Sequence, residues 1–133
     1  MKITLQWNKG LQFFATDETG HRVTVDLDRE HGGMDEGMTP LRFLLVALAG
    51  CMAMDIVTIV QKKGGKIKEY SMALEGIRAD DHPRRFVKII NTIHCTGDYK
   101  REDLERAFEL SRDKYCSALA TIINPPEFVY NIV

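Results

Sequence analysis

Three short stretches of alternating hydrophobic and polar residues open the chain. They span residues 2–7, 11–16 and 21–27, and the segments Asn8-Lys9-Gly10 and Asp17-Glu18-Thr19-Gly20 separate them. Side chains alternate between the two faces of a strand, and asparagine, aspartate and glycine are residues that tight turns use. The pattern predicts an N-terminal antiparallel meander, followed by a polar, glycine-containing loop over 28–38.

A long apolar segment over residues 41–60 comes next. Thr39 is suited to cap a helix and Pro40 to occupy its first turn, while Gly64-Gly65 predicts that the helix ends near residue 63. The segment is apolar on nearly every face, which is typical of a helix that is buried all round. Because a chain of 133 residues can hardly surround such a helix alone, the pattern also favours a dimer.

The same segment is long enough to span a bilayer, so a transmembrane helix is the alternative. Arg42 and Asp55 lie within it. A charge near the centre of a span costs roughly 2.5–3.5 kcal/mol on the insertion scale. We therefore expect a core helix that the predicted strands cover, and no membrane association.

The second half of the chain alternates between strand and helix patterns. It predicts five elements in order, namely strands over 66–79 and 85–96, helices over 100–112 and 114–123, and a strand over 128–133. The turn Asp80-Asp81-His82-Pro83 joins the first two strands into a hairpin. This order predicts the α+β class, in a single domain over residues 1–133.

Composition and charge exclude some classes of function. The net charge is −1, so the chain has no basic field that could hold nucleic acid. The N terminus leads directly into the first alternating stretch without an apolar leader, and three cysteines are too few for a secreted disulfide framework. We therefore expect a cytoplasmic protein, in which paired cysteines are more often catalytic or metal-binding than structural.

Cys51 lies midway along the predicted central helix, directly after Gly50. A free cysteine is often a small buried hydrophobe, so a packing role is the plainer interpretation. Gly50 favours a functional role, because glycine inside a helix costs about 1 kcal/mol relative to alanine, and close packing or access to the sulfur must offset that cost. Asp55, one turn later, disfavours a neighbouring thiolate, so an active Cys51 needs a cation or hydrogen-bond donors from elsewhere in the fold.

Cys116 lies at the start of the predicted short helix, beside Lys114. A helix N terminus and a positive charge both favour a thiolate, so this setting is better for reactivity, and a packing cysteine is the equal alternative. Cys95 follows His94 near the end of a strand, where one of the two should point inward. A zinc site built from these residues and Cys51 is conceivable, but no close-spaced cysteine pair exists, and we expect no metal.

Two segments resemble the cysteine motifs of a known superfamily. The segment from Thr39-Pro40 to Gly50-Cys51, continuing to Asp55-Ile56-Val57, resembles the first motif of the osmotically inducible protein C and organic hydroperoxide resistance proteins. The segment from Lys114-Tyr115-Cys116 to Ile122 resembles the second. His82-Pro83-Arg84-Arg85-Phe86 resembles a segment of the general, OsmC-like branch. The elements follow in the same order, so the resemblance covers essentially the whole chain.

The resemblance implies an OsmC-like fold, an intertwined homodimer in which antiparallel sheets of both subunits wrap two long central helices. Active members reduce organic hydroperoxides. By that resemblance Cys51 would be oxidised by the peroxide to a sulfenic acid, and Cys116 would resolve it as a disulfide. An external dithiol, carried by lipoyl groups in the best-known branch, would reduce the disulfide, so no resident cofactor is implied.

The sequence differs from the peroxide-resistance branch at two positions. That branch has a glutamate just after the motif proline and an arginine in the loop after the first strand, and this pair stabilises the thiolate. Here Leu41 and Arg42 follow the proline, and the loop offers only Lys9. Arg42 or Lys9 would have to supply the cation.

Two further functions stay open. The same scaffold could hold a small hydrophobic ligand in an apolar pocket at the dimer interface without catalysis, which the missing glutamate and arginine favour. Alternatively, the disulfide could be a redox signal rather than an intermediate of turnover. The two cysteine motifs favour the peroxidase.

Overall fold

The computed structural model describes residues 1–129 and 131–132, which form two compact units. The first unit spans Met1–Leu44, and the second begins at Leu45. Cys51 and Cys116, the cysteines of the two motifs, both lie in the second unit. A single domain over the chain stays a prediction.

The first unit is built on a three-stranded antiparallel sheet in the order β1-β2-β3. Strand β1 is Ile3–Lys9, β2 is Gln12–Asp17 and β3 is Arg22–Val25. The predicted meander is therefore confirmed. The third strand ends at Val25, two residues earlier than predicted, because the next residue anchors the following loop.

That anchor is the carboxylate of Asp26, which is only 1% exposed. It accepts hydrogen bonds from the backbone N–H groups of Leu27 (2.8 Å), Met34 (3.0 Å) and Glu36 (3.1 Å), and from Nε2 of Gln12 (3.0 Å). Burial alone would raise the pKa of Asp26, but these hydrogen bonds outweigh it and hold the pKa below its usual value. The buried Asp26 carboxylate thus holds the loop predicted over residues 28–38, and the polar pattern of the loop did not indicate this contact.

The long helix α1 spans Pro40–Lys62, as the apolar segment predicted. Gly64 follows it in the left-handed conformation, with φ of 86°. The N–H of Gly65 then donates to the carbonyl of Val60 at 3.0 Å. A glycine at this position ends a helix without steric cost, so the predicted stop is confirmed.

Helix α1 is long and apolar enough, by length and composition alone, to cross a membrane. Within one chain it buries a single stripe, formed by residues that recur every four positions, namely Leu48, Met52, Ile56 and Val60. One chain therefore does not surround the helix, as the length of the chain predicted, and burial by a partner subunit stays a prediction. Apolar side chains on its other faces are open to solvent, with Met54 72% exposed.

The second unit pairs this stripe with a long antiparallel hairpin. Strand β4 is Lys66–Arg78 and strand β5 is Phe86–Asp98. Apolar hairpin residues pack against the helical stripe, and they are Ile67, Tyr70, Met72, Leu74, Ile89 and Ile93. The hairpin thus packs against the buried face of the helix that carries Cys51.

Two helices and a wider turn complete the unit. Helix α2 is Arg101–Leu110, a π-helical turn covers Ser111–Tyr115, and helix α3 is Ser117–Ile123. Both helices are shorter than predicted. Cys116 lies between them with extended backbone angles (φ −70°, ψ 95°), and its N–H closes the wide turn by donating to Ser111 at 2.8 Å.

The predicted last strand is wrong where the structure can be compared with it. Phe128 and Val129 have no regular secondary structure, and Phe128 is 88% exposed. Tyr130 and Val133 lie outside the described residues. Pro125 and Pro126, just before this stretch, lack the N–H groups that a strand ladder uses.

Candidate active site

Cys51 and Cys116 lie close together in the second unit. Cys51 lies on α1, and Cys116 lies in the extended break before α3. Cys51 packs against the apolar cluster that contains Cys116, its thiol is near enough to raise the pKa of the Cys116 thiol, and both cysteines are free. The structure therefore brings together the two cysteines that the motifs singled out.

The two thiols differ in their access to solvent. Cys116 is buried, with 3% of its surface exposed, and it belongs to an apolar cluster with Leu48 and Met52. Cys51 is half-buried and packs against the same cluster. A molecule arriving from solvent would meet Cys51 before Cys116, and it would meet apolar surroundings there.

The buried position of Cys116 controls its acidity. Burial raises the pKa of the Cys116 thiol, a hydrogen bond from the N–H of Leu119 lowers it in part, and the neighbouring Cys51 raises it further. The Leu119 bond is 3.4 Å long and makes Cys116 the N-terminal cap of α3. The expected gain in reactivity from the helix N terminus is thus outweighed by desolvation. The ammonium group of Lys114 lies over the Tyr115 ring instead, at 5.3 Å.

A hydrogen bond ties the two cysteine-bearing segments together. The hydroxyl Oγ of Ser111 donates to Oδ2 of Asp55 at 2.8 Å. Ser111 is fully buried, and Asp55 is partly buried one helical turn after Cys51. Sequence reasoning noted Asp55 but missed Ser111, because only the packed structure places a residue of the π-helical turn against α1.

The two candidate cations lie in the first unit. Arg42 is exposed near the start of α1, and Lys9 is exposed at the end of β1. Their action on the Cys51 thiolate stays a prediction.

Cys95 is set apart from the cysteine pair. It faces Tyr70 across the hairpin, and Tyr99 donates from its hydroxyl to the Cys95 carbonyl at 2.6 Å. His94 is exposed, as the alternation of side chains on a strand predicts. Over residues 1–129 and 131–132, no three histidine, cysteine or carboxylate side chains are placed to hold a metal ion, so the conceivable zinc site is not assembled.

A cleft of about 440 Å³ opens beside α1. Asp55 lines it, one turn from Cys51, together with apolar, basic and hydroxyl-bearing side chains, namely Met54, Thr58, Ile59, Lys62, Lys63, Leu110 and Tyr115. The cleft therefore offers an apolar surface next to the cysteine-bearing part of the helix.

Known proteins resemble this chain over nearly its whole length. The family described as OsmC-like protein matches residues 31–131. Protein YhfA of Escherichia coli K12 is 32% identical over 118 residues, which are 88% of this chain and 85% of that protein.

Solved structures share the fold. A hypothetical protein from Aquifex aeolicus VF5 superposes with a TM-score of 0.81 at 27% identity, over 93% of this chain and 87% of that one. An organic hydroperoxide resistance protein OsmC from Legionella pneumophila superposes with a TM-score of 0.63 at 17% identity, over 92% and 89% of the two chains. At that identity the second similarity concerns the fold alone.

Proposed function

The chain belongs to the OsmC-like protein family, and from this membership we propose that it is a thiol-dependent peroxidase that reduces organic hydroperoxides. The observation that carries the proposal is the proximity of the half-buried Cys51 to the buried Cys116 in one apolar cluster. The substrate class is proposed by analogy with the Legionella protein of the same fold, which is named for resistance to organic hydroperoxides.

In the first step the Cys51 thiolate attacks the outer oxygen of the hydroperoxide. The O–O bond breaks, the sulfur takes up one oxygen as a sulfenic acid, and the other oxygen leaves with its alkyl group as an alcohol after gaining a proton. The greater exposure of Cys51 suits this role, because the peroxide must reach the sulfur. The apolar cluster around it suits an alkyl substituent.

In the second step Cys116 resolves the sulfenic acid. Its sulfur attacks the Cys51 sulfur, a disulfide forms, and the sulfenic oxygen leaves as water. The raised pKa of Cys116 suits a thiol that does not compete for peroxide and reacts only with its neighbour. An external dithiol of the lipoyl type then reduces the disulfide and is itself oxidised, which returns both thiols.

We propose Arg42 as the cation that stabilises the Cys51 thiolate, with Lys9 as the alternative. A cation beside the sulfur favours its attacking, thiolate form. Arg42→Met should slow the alkylation of Cys51 by iodoacetamide at pH 7, while Lys9→Met serves as the comparison. Equal rates in both variants and the wild type would show that neither residue acts on the thiol.

The proposed assembly is an intertwined homodimer. One chain leaves apolar side chains open on two elements, Met54 and Val46 on α1 and Ile3, Leu5 and Trp7 on one face of β1. Exposed apolar surface on this scale is typical of an interface. A second copy of the chain, with strands that wrap the central helices, would cover both elements.

The test is steady-state reduction of cumene hydroperoxide with a lipoyl dithiol as the electron donor. Cys51→Ser should abolish turnover above the background rate, because serine cannot accept the oxygen. Cys95→Ser is the matched control, since it also removes a half-buried thiol, and it should retain turnover. If Cys51→Ser turns over as fast as the wild type, the proposal is wrong.

A second function is favoured by the cleft beside α1. Its volume of about 440 Å³ and its largely apolar surface would suit a small hydrophobic ligand, with Lys62 and Lys63 available for an acidic group, and the sequence lacks the glutamate and arginine of the peroxide-resistance branch. Such a protein would bind without catalysis. Native mass spectrometry of the purified protein, together with melting curves in the presence of fatty acids, separates this function from the peroxidase. A protein that carries no ligand and shows no thermal shift would exclude it.

A further inference from the structure

The hydrogen bond from Ser111 to Asp55 joins two residues that each lie close in sequence to one of the two cysteines. Asp55 lies four residues after Cys51 on α1, which puts the two side chains on the same face of the helix. Ser111 begins the π-helical turn that ends just before Cys116. Asp55 is therefore one helical turn from Cys51, and Ser111 is one π-helical turn from Cys116.

A backbone hydrogen bond connects Ser111 to Cys116. The N–H of Cys116 donates to the carbonyl of Ser111 at 2.8 Å, while the hydroxyl of the same serine donates to Asp55 at 2.8 Å. Ser111 is thus held through its side chain by the helix of Cys51 and holds Cys116 through its carbonyl. A continuous series of hydrogen bonds connects the two cysteine-bearing segments.

We propose that Asp55 and Ser111 are positioning residues that hold the Cys116 segment in register with α1, so that the two thiols can form a disulfide. This inference rests on the proposed function, since it concerns the resolving step. The Ser111 hydroxyl fixes the wide turn at its first residue, and the turn then determines where the Cys116 sulfur lies relative to Cys51.

The chemistry of the pair supports a role in alignment. A buried hydroxyl that donates to a carboxylate makes a directional bond, stronger than one between neutral groups. Disulfide formation requires the two sulfurs to approach within a narrow range of distances and dihedral angles. Without the bond, the turn would still be closed by the Cys116 N–H, but nothing on the Ser111 side chain would hold it against α1.

The experiment measures the equilibrium between the protein dithiol and oxidised dithiothreitol. In this exchange the two protein thiols lose two protons and two electrons and form one S–S bond, while the S–S bond of oxidised dithiothreitol becomes two thiols. The equilibrium constant reports how well Cys51 and Cys116 are aligned, and it requires no peroxide. Ser111→Ala should lower this constant about tenfold, because the turn that carries Cys116 is no longer held against α1 and the effective concentration of the Cys116 thiol at Cys51 falls.

Two further variants separate alignment from mere stability. Thr121→Ala removes a hydroxyl from α3 that donates to the Ser117 carbonyl and does not reach α1, so its constant should equal that of the wild type. Asp55→Asn keeps an acceptor for the Ser111 hydroxyl, so its equilibrium constant should stay close to that of the wild type. Asp55→Leu removes the acceptor, so its constant should fall as far as that of Ser111→Ala. Asp55 is only partly buried, so these variants remain informative if Ser111→Ala does not fold.

A lower melting temperature with an unchanged constant in Ser111→Ala and Asp55→Leu would overturn the inference and leave the peroxidase intact. A wild-type protein that forms no disulfide between Cys51 and Cys116 would overturn both. A wild type that forms the disulfide but does not reduce peroxides would remove the proposed function alone, and the fall in the constant would still support the alignment.

Discussion

The buried thiol of Cys116 lies close to the half-buried thiol of Cys51, although elements far apart in the sequence carry them. The two chemically identical side chains therefore differ in exposure and in acidity. In the proposed reaction the more exposed sulfur of Cys51 reacts with the peroxide, and the buried sulfur of Cys116, whose pKa is raised, resolves the product. The unequal burial of the pair supports this order of the two proposed steps.

The first prediction concerns the pH dependence of disulfide formation. Burial raises the pKa of Cys116, and attack on the sulfenic acid requires its thiolate. The rate of resolution should therefore rise with pH and reach half of its maximum above the usual pKa of a thiol, about 8.5. Quenched-flow mass spectrometry after one equivalent of cumene hydroperoxide follows this step. A rate that is already constant between pH 6 and 8 would show that Cys116 is acidic.

The second prediction concerns the carboxylate of Asp26. Its pKa lies below the usual value for aspartate, so its stabilising effect is present above that value and is lost as the pH falls through the folded pKa. Asp26→Asn should be less stable than the wild type towards urea at pH 7, and the difference should vanish in strong acid. Glu30→Gln, an exposed change in the same loop, should have little effect at either pH.

The third prediction concerns two tyrosines near Cys95. The hydroxyl of Tyr70 is sealed from solvent and has no hydrogen-bond partner among the residues that the structure describes, and burial raises its pKa to about 12. Tyr70→Phe should raise the free energy of unfolding by about 1 kcal/mol, because an unsatisfied buried group is removed.

Tyr99→Phe is the matched control for that prediction. The Tyr99 hydroxyl donates to the Cys95 carbonyl at 2.6 Å, so the same atomic deletion should here lower the stability. Chemical denaturation of both variants measures the change in the free energy of unfolding, which should be positive for Tyr70→Phe and negative for Tyr99→Phe. Equal changes in the same direction would refute the distinction between a satisfied and an unsatisfied hydroxyl.

The fourth prediction concerns assembly. Met54 is 72% exposed on α1 in one chain, and the proposed partner subunit would cover it. Met54→Glu should shift the protein from dimer to monomer in light scattering coupled to size-exclusion chromatography. Glu127→Lys, which changes charge at an exposed residue after the helices, should leave the mass unchanged. A wild-type protein that elutes as a monomer would contradict the dimer.

The hydrophobic pattern predicted the meander, the long helix and the hairpin, because those elements depend on local alternation and on turn residues such as Gly64. It was wrong about the start of α3, since the break at Cys116 depends on a wide turn that no local signal marks. The acidity of Cys116 was misjudged for a related reason. Burial is a property of the packed structure, and it outweighed the helix N terminus that the sequence revealed.

The two cysteines of the candidate site were predictable from the sequence, and the residue that contacts their segments was not. Cys51 and Cys116 stood out through their motifs, whereas Ser111 acts through a hydrogen bond to Asp55, which is distant in sequence. Serine is a common surface residue, so its type gave no indication that it is buried. Polar residues that fold into the interior are the part of this site that only the structure supplies.

The most direct test of the account is peptide mapping of the thiols before and after one equivalent of cumene hydroperoxide, on the wild type and on Cys116→Ser. The account predicts a disulfide between Cys51 and Cys116 in the wild type. In Cys116→Ser it predicts a sulfenic acid on Cys51 that dimedone traps. Two unreacted thiols in the wild type would contradict it and would make both cysteines structural.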